Sequence, residues 1–279
     1  MSKWIISAFA DEHSTSLEGQ ISALKETGLE YIEPRFIDGK NIADMTANEV
    51  KEVKTQLDGA GIKVSAIGSP LGKINLADDF NAHLEKAKRI FETAGLLETD
   101  KIRVFSFYLH KNKSREECRG EVIEKLGRML DLADSFSLKL CHENEAKIYG
   151  ESPEYCRDIL DAFSGRLRAV FDMGNFVLDG HDPVSAYPLL KDYIEYFHIK
   201  DALYAGAIVP AGCGEAKIGE LLHRYRDDFG KDVILSVEPH LQTFSGLNAL
   251  VGKGFDNPYK FETKEIAFVT AVQKTKELL

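Results

Sequence analysis

The sequence predicts a closed (β/α)8 barrel, an α/β fold in which eight parallel strands are wrapped by helices. Three observations lead there. Eight short apolar runs rich in β-branched and aromatic residues alternate with helix-period segments along the whole chain. The runs are almost continuously apolar (Val104, Phe105 and Phe107; Val170 and Phe171; Val233, Ile234, Leu235 and Val237), as in parallel strands covered on both faces. The first run continues into Ala8-Phe9-Ala10-Asp11-Glu12, which lacks the glycine turn that an open, doubly wound sheet uses to receive phosphate. No Ser/Gly linker or composition shift interrupts the 279 residues, so residues 1–279 read as a single domain.

In order, the strands are expected over residues 4–10, 31–35, 63–69, 102–107, 139–143, 169–172, 196–200 and 233–238. The helices between them are marked by caps as well as by period. Thr15 with Glu18 and Thr46 with Glu49 have capping-box spacing, and Ser152-Pro153 and Asp182-Pro183 place an N-cap before a first-turn proline. Leu17, Ile21 and Leu24 line one face of the first helix, and Val50, Val53 and Leu57 line one face of the second. Gly28 and Gly61 stand where the chain must leave these helices.

The composition narrows the partners. A chain 44% hydrophobic and 29% charged buries too much apolar surface to be disordered. With 45 acidic and 35 basic side chains the formal charge is −10, which repels nucleic-acid phosphates and anionic lipid, and no basic patch offsets it. Cys118, Cys141, Cys156 and Cys213 form no CxxC pair, against a structural zinc site or a disulfide framework. No apolar run approaches the roughly 18 residues of a membrane span, and Met1-Ser2-Lys3-Trp4 opens without a signal-peptide core. The expected compartment is the cytoplasm, and a homo-oligomer stays open.

In such a barrel the chemistry gathers at the C-terminal ends of the strands. There the second half of the chain is rich: strand five ends in His142-Glu143-Asn144-Glu145, strand six in Asp172-Met173-Gly174-Asn175, strand seven in His198-Ile199-Lys200-Asp201 and strand eight in Glu238-Pro239-His240. Any one of these acids alone reads equally as a helix cap or the partner of a surface lysine. Four on consecutive strands converge on one rim, where three carboxylates and an imidazole in a low dielectric repel unless a cation or protons hold them. One divalent metal ion bound by Glu143, Asp172, His198 and Glu238 is the economical expectation, and a mixed O/N donor set suits Mn2+, Mg2+, Co2+ or Zn2+.

These motifs, with Pro210-Ala211-Gly212-Cys213-Gly214, resemble the sugar phosphate isomerases and epimerases of the xylose-isomerase-like TIM barrel superfamily over nearly the whole chain. The resemblance implies a single metal on the same four residues and, as in the ketose epimerases, acid and base roles for Glu143 and Glu238. One departure stands out: Asn175 occupies a position where many members have a histidine, and an amide donates to an oxygen but takes up no proton.

The expected activity is therefore that of a metal-dependent isomerase or epimerase of a small polyol, ketose or sugar phosphate. The metal chelates a carbonyl and a neighbouring hydroxyl, and the glutamates carry the proton. Candidate substrate contacts are Asn175, Lys200, Lys73, His110 and His240. Dehydration of a keto-polyol is the nearest alternative, and a non-catalytic sugar-binding barrel comes from a different class. Cleavage of abasic DNA, known on the same scaffold, needs several metals and further histidines, whereas here strand three ends in Gly68-Ser69. Three features carry both a structural and a functional reading. Glu33 and Arg35 are expected to form an inward salt bridge, Gly212 and Gly214 a tight turn rather than an anion site, and residues 241–259 a packed loop or a lid.

Overall fold

The computed structural model describes residues 3–241 and 259–279, so the candidate lid at residues 241–259, apart from its two end residues, lies outside the described residues. Along the chain the barrel elements are β1 (Trp4–Ala8), α1 (Leu17–Glu26), β2 (Tyr31–Ile32), α2 (Ala47–Ala60), β3 (Lys63–Val64), α3 (Phe80–Leu96), β4 (Lys101–Val104) and α4 (Arg115–Ser135). The second half continues with β5 (Lys139–Glu143), α5 (Pro153–Ala162), β6 (Leu167–Asp172), α6 (Met173–Leu178), α7 (Pro183–Leu190), β7 (Ile194–Ile199), α8 (Ile218–Phe229), β8 (Val233–Val237) and α9 (Lys264–Glu277).

Parallel ladders run without a break from β4 through β5, β6, β7 and β8 to β1. β2 pairs with β3, also in parallel. Two seams close the ring. The Glu33 N–H donates to Ala8 O at 3.0 Å, joining β2 to β1. The Ile67 N–H donates to Lys101 O at 2.9 Å while the Arg103 N–H donates to Ile67 O at 3.0 Å, joining the end of β3 to β4.

All eight strands fall where the sequence places them, but β2 and β3 are shorter than expected. Pro34 has no N–H to extend β2, and the chain turns at once into an antiparallel hairpin, Phe36–Ile37 against Lys40–Asn41. Beyond β3 an isolated parallel bridge, Ile67 with Ile102, continues the pairing, and Ser69 turns its Oγ to Arg103 O. The helix starts follow the predicted caps at Thr46, Ser152 and Asp182, with a complete capping box at Thr46 and Glu49. For α1 the cap is Ser16, not Thr15. Its Oγ accepts from the Gly19 N–H at 3.2 Å, and Asp38 takes the Leu17 N–H at 2.9 Å. The spacing to Glu18 singles out Thr15, but the helix starts one residue later, so its third position is Gly19 and the expected box with Glu18 does not form.

The main apolar core lies between the strands and the surrounding helices. A second, small cluster inside the ring consists of Ala66, Cys141, Val170 and Tyr196, with Ile234 against it. Side chains two apart on a strand share a face. Cys141, Val170 and Tyr196 point inward, so Glu143, Asp172 and His198 stand directly above them. No helix of the described residues is long and apolar enough to cross a membrane, and all four cysteines are free thiols.

Candidate metal centre

Above this apolar floor Glu143, Asp172, His198 and Glu238 each present one donor atom, and these atoms all lie within 4.8 Å of one another. All four residues are buried. Asp172 also caps α6, its Oδ1 accepting from the Asn175 N–H at 2.8 Å. Asn144 pins the Asp172 backbone from both sides, donating from Nδ2 to its carbonyl at 2.9 Å and accepting its N–H at 3.0 Å. The Asn175 amide donates to Asn144 O at 2.9 Å and faces Glu143 Oε1 at 3.4 Å.

Three cations press on the carboxylates. Arg103 Nη1 stands 3.1 Å from Glu143 Oε2 and 3.6 Å from Glu238 Oε1. Arg35 Nη1 reaches Glu238 Oε1 at 3.0 Å, and its other nitrogens bind Asp11 and Glu12. Lys200 Nζ sits 2.9 Å from both Asp172 Oδ2 and Glu238 Oε2 and donates to Asn175 Oδ1 at 3.0 Å. Burial raises every acid here, yet the outcomes differ. His198 and Arg103 override it at Glu143, held at about 2. At Asp172 burial wins over Lys200 and the carboxyl rises to about 7. Burial also lifts Glu12 to about 8 despite Arg35. Burial would lower the His198 imidazole, but Glu143 and Glu33 drive it well above its ordinary range.

A family model described as the xylose isomerase-like TIM barrel matches residues 21–264. The chain belongs to this family. No curated protein matches the sequence. Among solved structures, the probable 3-DHS dehydratase AsbF of Bacillus anthracis is 18% identical, with 99% of each chain covered and a TM-score of 0.73. The IOLI protein with a bound zinc atom is 17% identical over 98% of this chain and 97% of its own, with a TM-score of 0.76. A D-tagatose 3-epimerase-like protein is 17% identical over 98% of this chain and 96% of its own, with a TM-score of 0.75. At these identities the likeness establishes the shared barrel.

The donor set fits the divalent ion that the family implies. A separation of 4.8 Å is bridged by one ion with bonds of about 2.0–2.4 Å. Glu143 Oε2 and Glu238 Oε2 are fully buried and accept no well-directed hydrogen bond, although Arg103 and Lys200 stand near them. A raised Asp172 and a strongly basic His198 mark a cluster that gathers protons to balance its acids, the office a metal performs.

Other candidates scatter around this centre. His240 Nε2 lies 3.6 Å from Glu238 Oε1 and 3.4 Å from Glu12. Lys73 pairs with Glu145 at 2.7 Å over the Phe105 ring. His110 is drawn instead to Glu121 of α4 at 2.7 Å. The expected Glu33–Arg35 bridge gives way to two separate engagements: Arg35 turns to Asp11, Glu12 and Glu238, and Glu33 turns to His198 and Tyr196. Gly212 and Gly214 donate their N–H groups to Asp201 Oδ2 at 2.8 and 3.0 Å, so the turn encloses the chain's own carboxylate. A Cβ on Gly214 would fall 2.2 Å from Asp201 Oδ1, which is why glycine stands there. Sequence reasoning missed Arg103. Its signal is a charge between Ile102 and Val104, inside a run that a buried parallel strand keeps apolar.

Proposed function

We propose that the protein is a divalent-metal-dependent isomerase or epimerase of a small sugar, ketose or sugar phosphate, working in the cytoplasm. The observation that carries this is the placement of Glu143 and Glu238. They come from β5 and the end of β8, flank Asp172 and His198, and each keeps a buried Oε2 without a directed hydrogen bond. A bound divalent cation (Mn2+, Mg2+, Co2+ or Zn2+) on Glu143, Asp172, His198 and Glu238 supplies Lewis acidity to a substrate carbonyl and its neighbouring hydroxyl. His198 and Arg103 hold Glu143 ionised and Lys200 holds Glu238 so. In turnover one glutamate takes the proton from the substrate carbon on a carboxylate oxygen, while the other, first protonated from solvent, returns a proton from the opposite side, and the first then releases its proton to solvent. Lys200 and the Asn175 amide donate to substrate oxygens, and Lys73 and His240 line the approach.

The test is isotopic. Metal-loaded enzyme is incubated in D2O with a panel of ketoses, their phosphates and cyclic keto-polyols, and products are read by NMR. Deuterium at the carbon whose configuration or oxidation level changes is expected, and Glu143→Gln and Glu238→Gln should each abolish it. Turnover without deuterium overturns the two-glutamate mechanism in favour of a hydride shift. Loss of water points to a dehydratase, and binding without turnover to a sugar-binding barrel.

A further inference from the structure

His198 is engaged at both ring nitrogens, and only one side belongs to the donor quartet. Nδ1 faces Glu143 Oε1 at 3.0 Å and Glu238 Oε2 at 3.6 Å. Nε2 faces away from them, toward Glu33, at 3.3 Å from Oε2 and 3.4 Å from Oε1. Glu33 is fully buried, and its own backbone N–H is fastened to Ala8 O across the β1–β2 seam. Its Oε1 accepts from the Tyr196 hydroxyl at 3.0 Å, while Oε2 accepts no well-directed hydrogen bond. Phe9 and Tyr196 pack edge-on to the imidazole, with centroids at 5.2 and 5.5 Å.

A carboxylate sealed in the barrel interior is costly unless something there needs it. Arg103 attracts it from beyond ion-pair distance, with Nη1 already paired to Glu143 and Glu238, and so does not explain it alone. The imidazole does. A histidine coordinates only through a nitrogen without a proton, and the hydrogen bond made by the other nitrogen decides which one that is. With a cation on the quartet, the carboxylate on Nε2 would keep the proton there and free Nδ1, the nitrogen that faces Glu143 and Glu238, to coordinate.

We infer that Glu33, held by Tyr196, is a positioning residue for the metal centre, fixing His198 as an Nδ1 ligand through an Nε2–H···carboxylate bond. This rests on the proposed metal-binding role of the quartet. The test has two arms. In the first, 15N-histidine-labelled wild-type protein is loaded with Zn2+, with His198 assigned by comparison with His198→Asn. The Nε2 resonance should carry a directly bonded proton and Nδ1 the coordination shift. In the second, Mn2+ affinity is measured by equilibrium dialysis and metal analysis. Glu33→Leu should weaken binding about 10- to 100-fold, and Glu33→Gln, whose amide oxygen still accepts from Nε2–H, should recover most of it.

Wild-type protein that binds neither ion overturns the quartet reading and this inference together. Zn2+ bound with the proton on Nδ1, or Glu33→Leu binding Mn2+ within about twofold of wild type, overturns the inference and leaves the quartet standing. The NMR arm uses the intact wild-type site, so it decides even if Glu33→Leu does not fold.

Discussion

The two halves of the barrel bring opposite contributions to the same centre. β5 through the end of β8 deliver Glu143, Asp172, His198 and Glu238, with Lys200 beside them. The first half delivers Arg35, which reaches Glu238, Arg103, which pairs with Glu143 of the neighbouring strand and approaches Glu238, and Glu33, which backs His198. Arg35 and Arg103 from the first half, together with Lys200 among the donors, let these four buried side chains crowd to within the reach of a single ion. Neither half is a site by itself.

Breaking the donor half should have the largest effect. On the proposed reading His198→Ala removes a ligand and with it the Lewis acid, whose contribution of several kcal/mol corresponds to about a thousandfold or more in turnover. The fold should persist by circular dichroism while bound metal disappears by elemental analysis. Wild-type-like turnover of this variant in chelator-treated buffer would end the metal-enzyme reading.

Breaking the counter-charge half should act on stability first. Arg103→Met leaves Glu143 and Glu238 facing each other without that guanidinium, and stripping one partner from a buried ion pair costs about 3–5 kcal/mol. Denaturant melts of metal-free protein should show the loss. Saturating Mn2+ should shrink it, because the added cation takes over the neutralisation. An equal loss with and without metal would mean that the two halves do not share their charge balance.

A titration outside the centre gives a scale for the first half. His83 of α3 is buried, its Nε2 accepts from the Gly72 N–H at 3.0 Å, and burial lowers its pKa from 6.5 to about 4. Above pH 6.5 it is neutral in both folded and unfolded chains and its stabilisation is complete. As the pH falls from 6.5 toward 4, the unfolded chain takes up a proton that the folded one refuses, so stability declines, by about 3 kcal/mol in all. His83→Gln, which can still accept from Gly72, should remove that part of the slope. A variant with the same pH profile as wild type would refute the assignment.

The smallest effect compares the helix starts of the halves. Thr46→Ala breaks a reciprocal box with Glu49, whereas Ser152→Ala loses one long bond of 3.4 Å to the Tyr155 N–H beside a proline that already sets the first turn. Thr46→Ala should cost about 1 kcal/mol and Ser152→Ala less. Chemical melts of both variants check the order.

How much of this was legible follows the same division. Strand position, helix caps and the four donors are written locally. An apolar run ending in an acid or a histidine is visible in five residues, and the parity of the strand sends that residue inward whatever its neighbours are. Arg103, Glu33 and Arg35 are local only in identity. Their partners stand 40, 165 and 203 positions away in sequence at Glu143, His198 and Glu238, and which partner each finds depends on how the ring closes. Ring closure brings side chains from the end of β2 and from β4 to those of β7 and the end of β8, and Pro34 ends β2 so that Arg35 leaves the strand and swings to Asp11 and Glu12. The sequence alone therefore determined the barrel and the residues able to hold a metal, because period and strand-end chemistry are short-range. Only the tertiary structure decided which cation neutralises which acid, since a long guanidinium or carboxylate takes its partner from whatever the closed ring brings within about 3 Å.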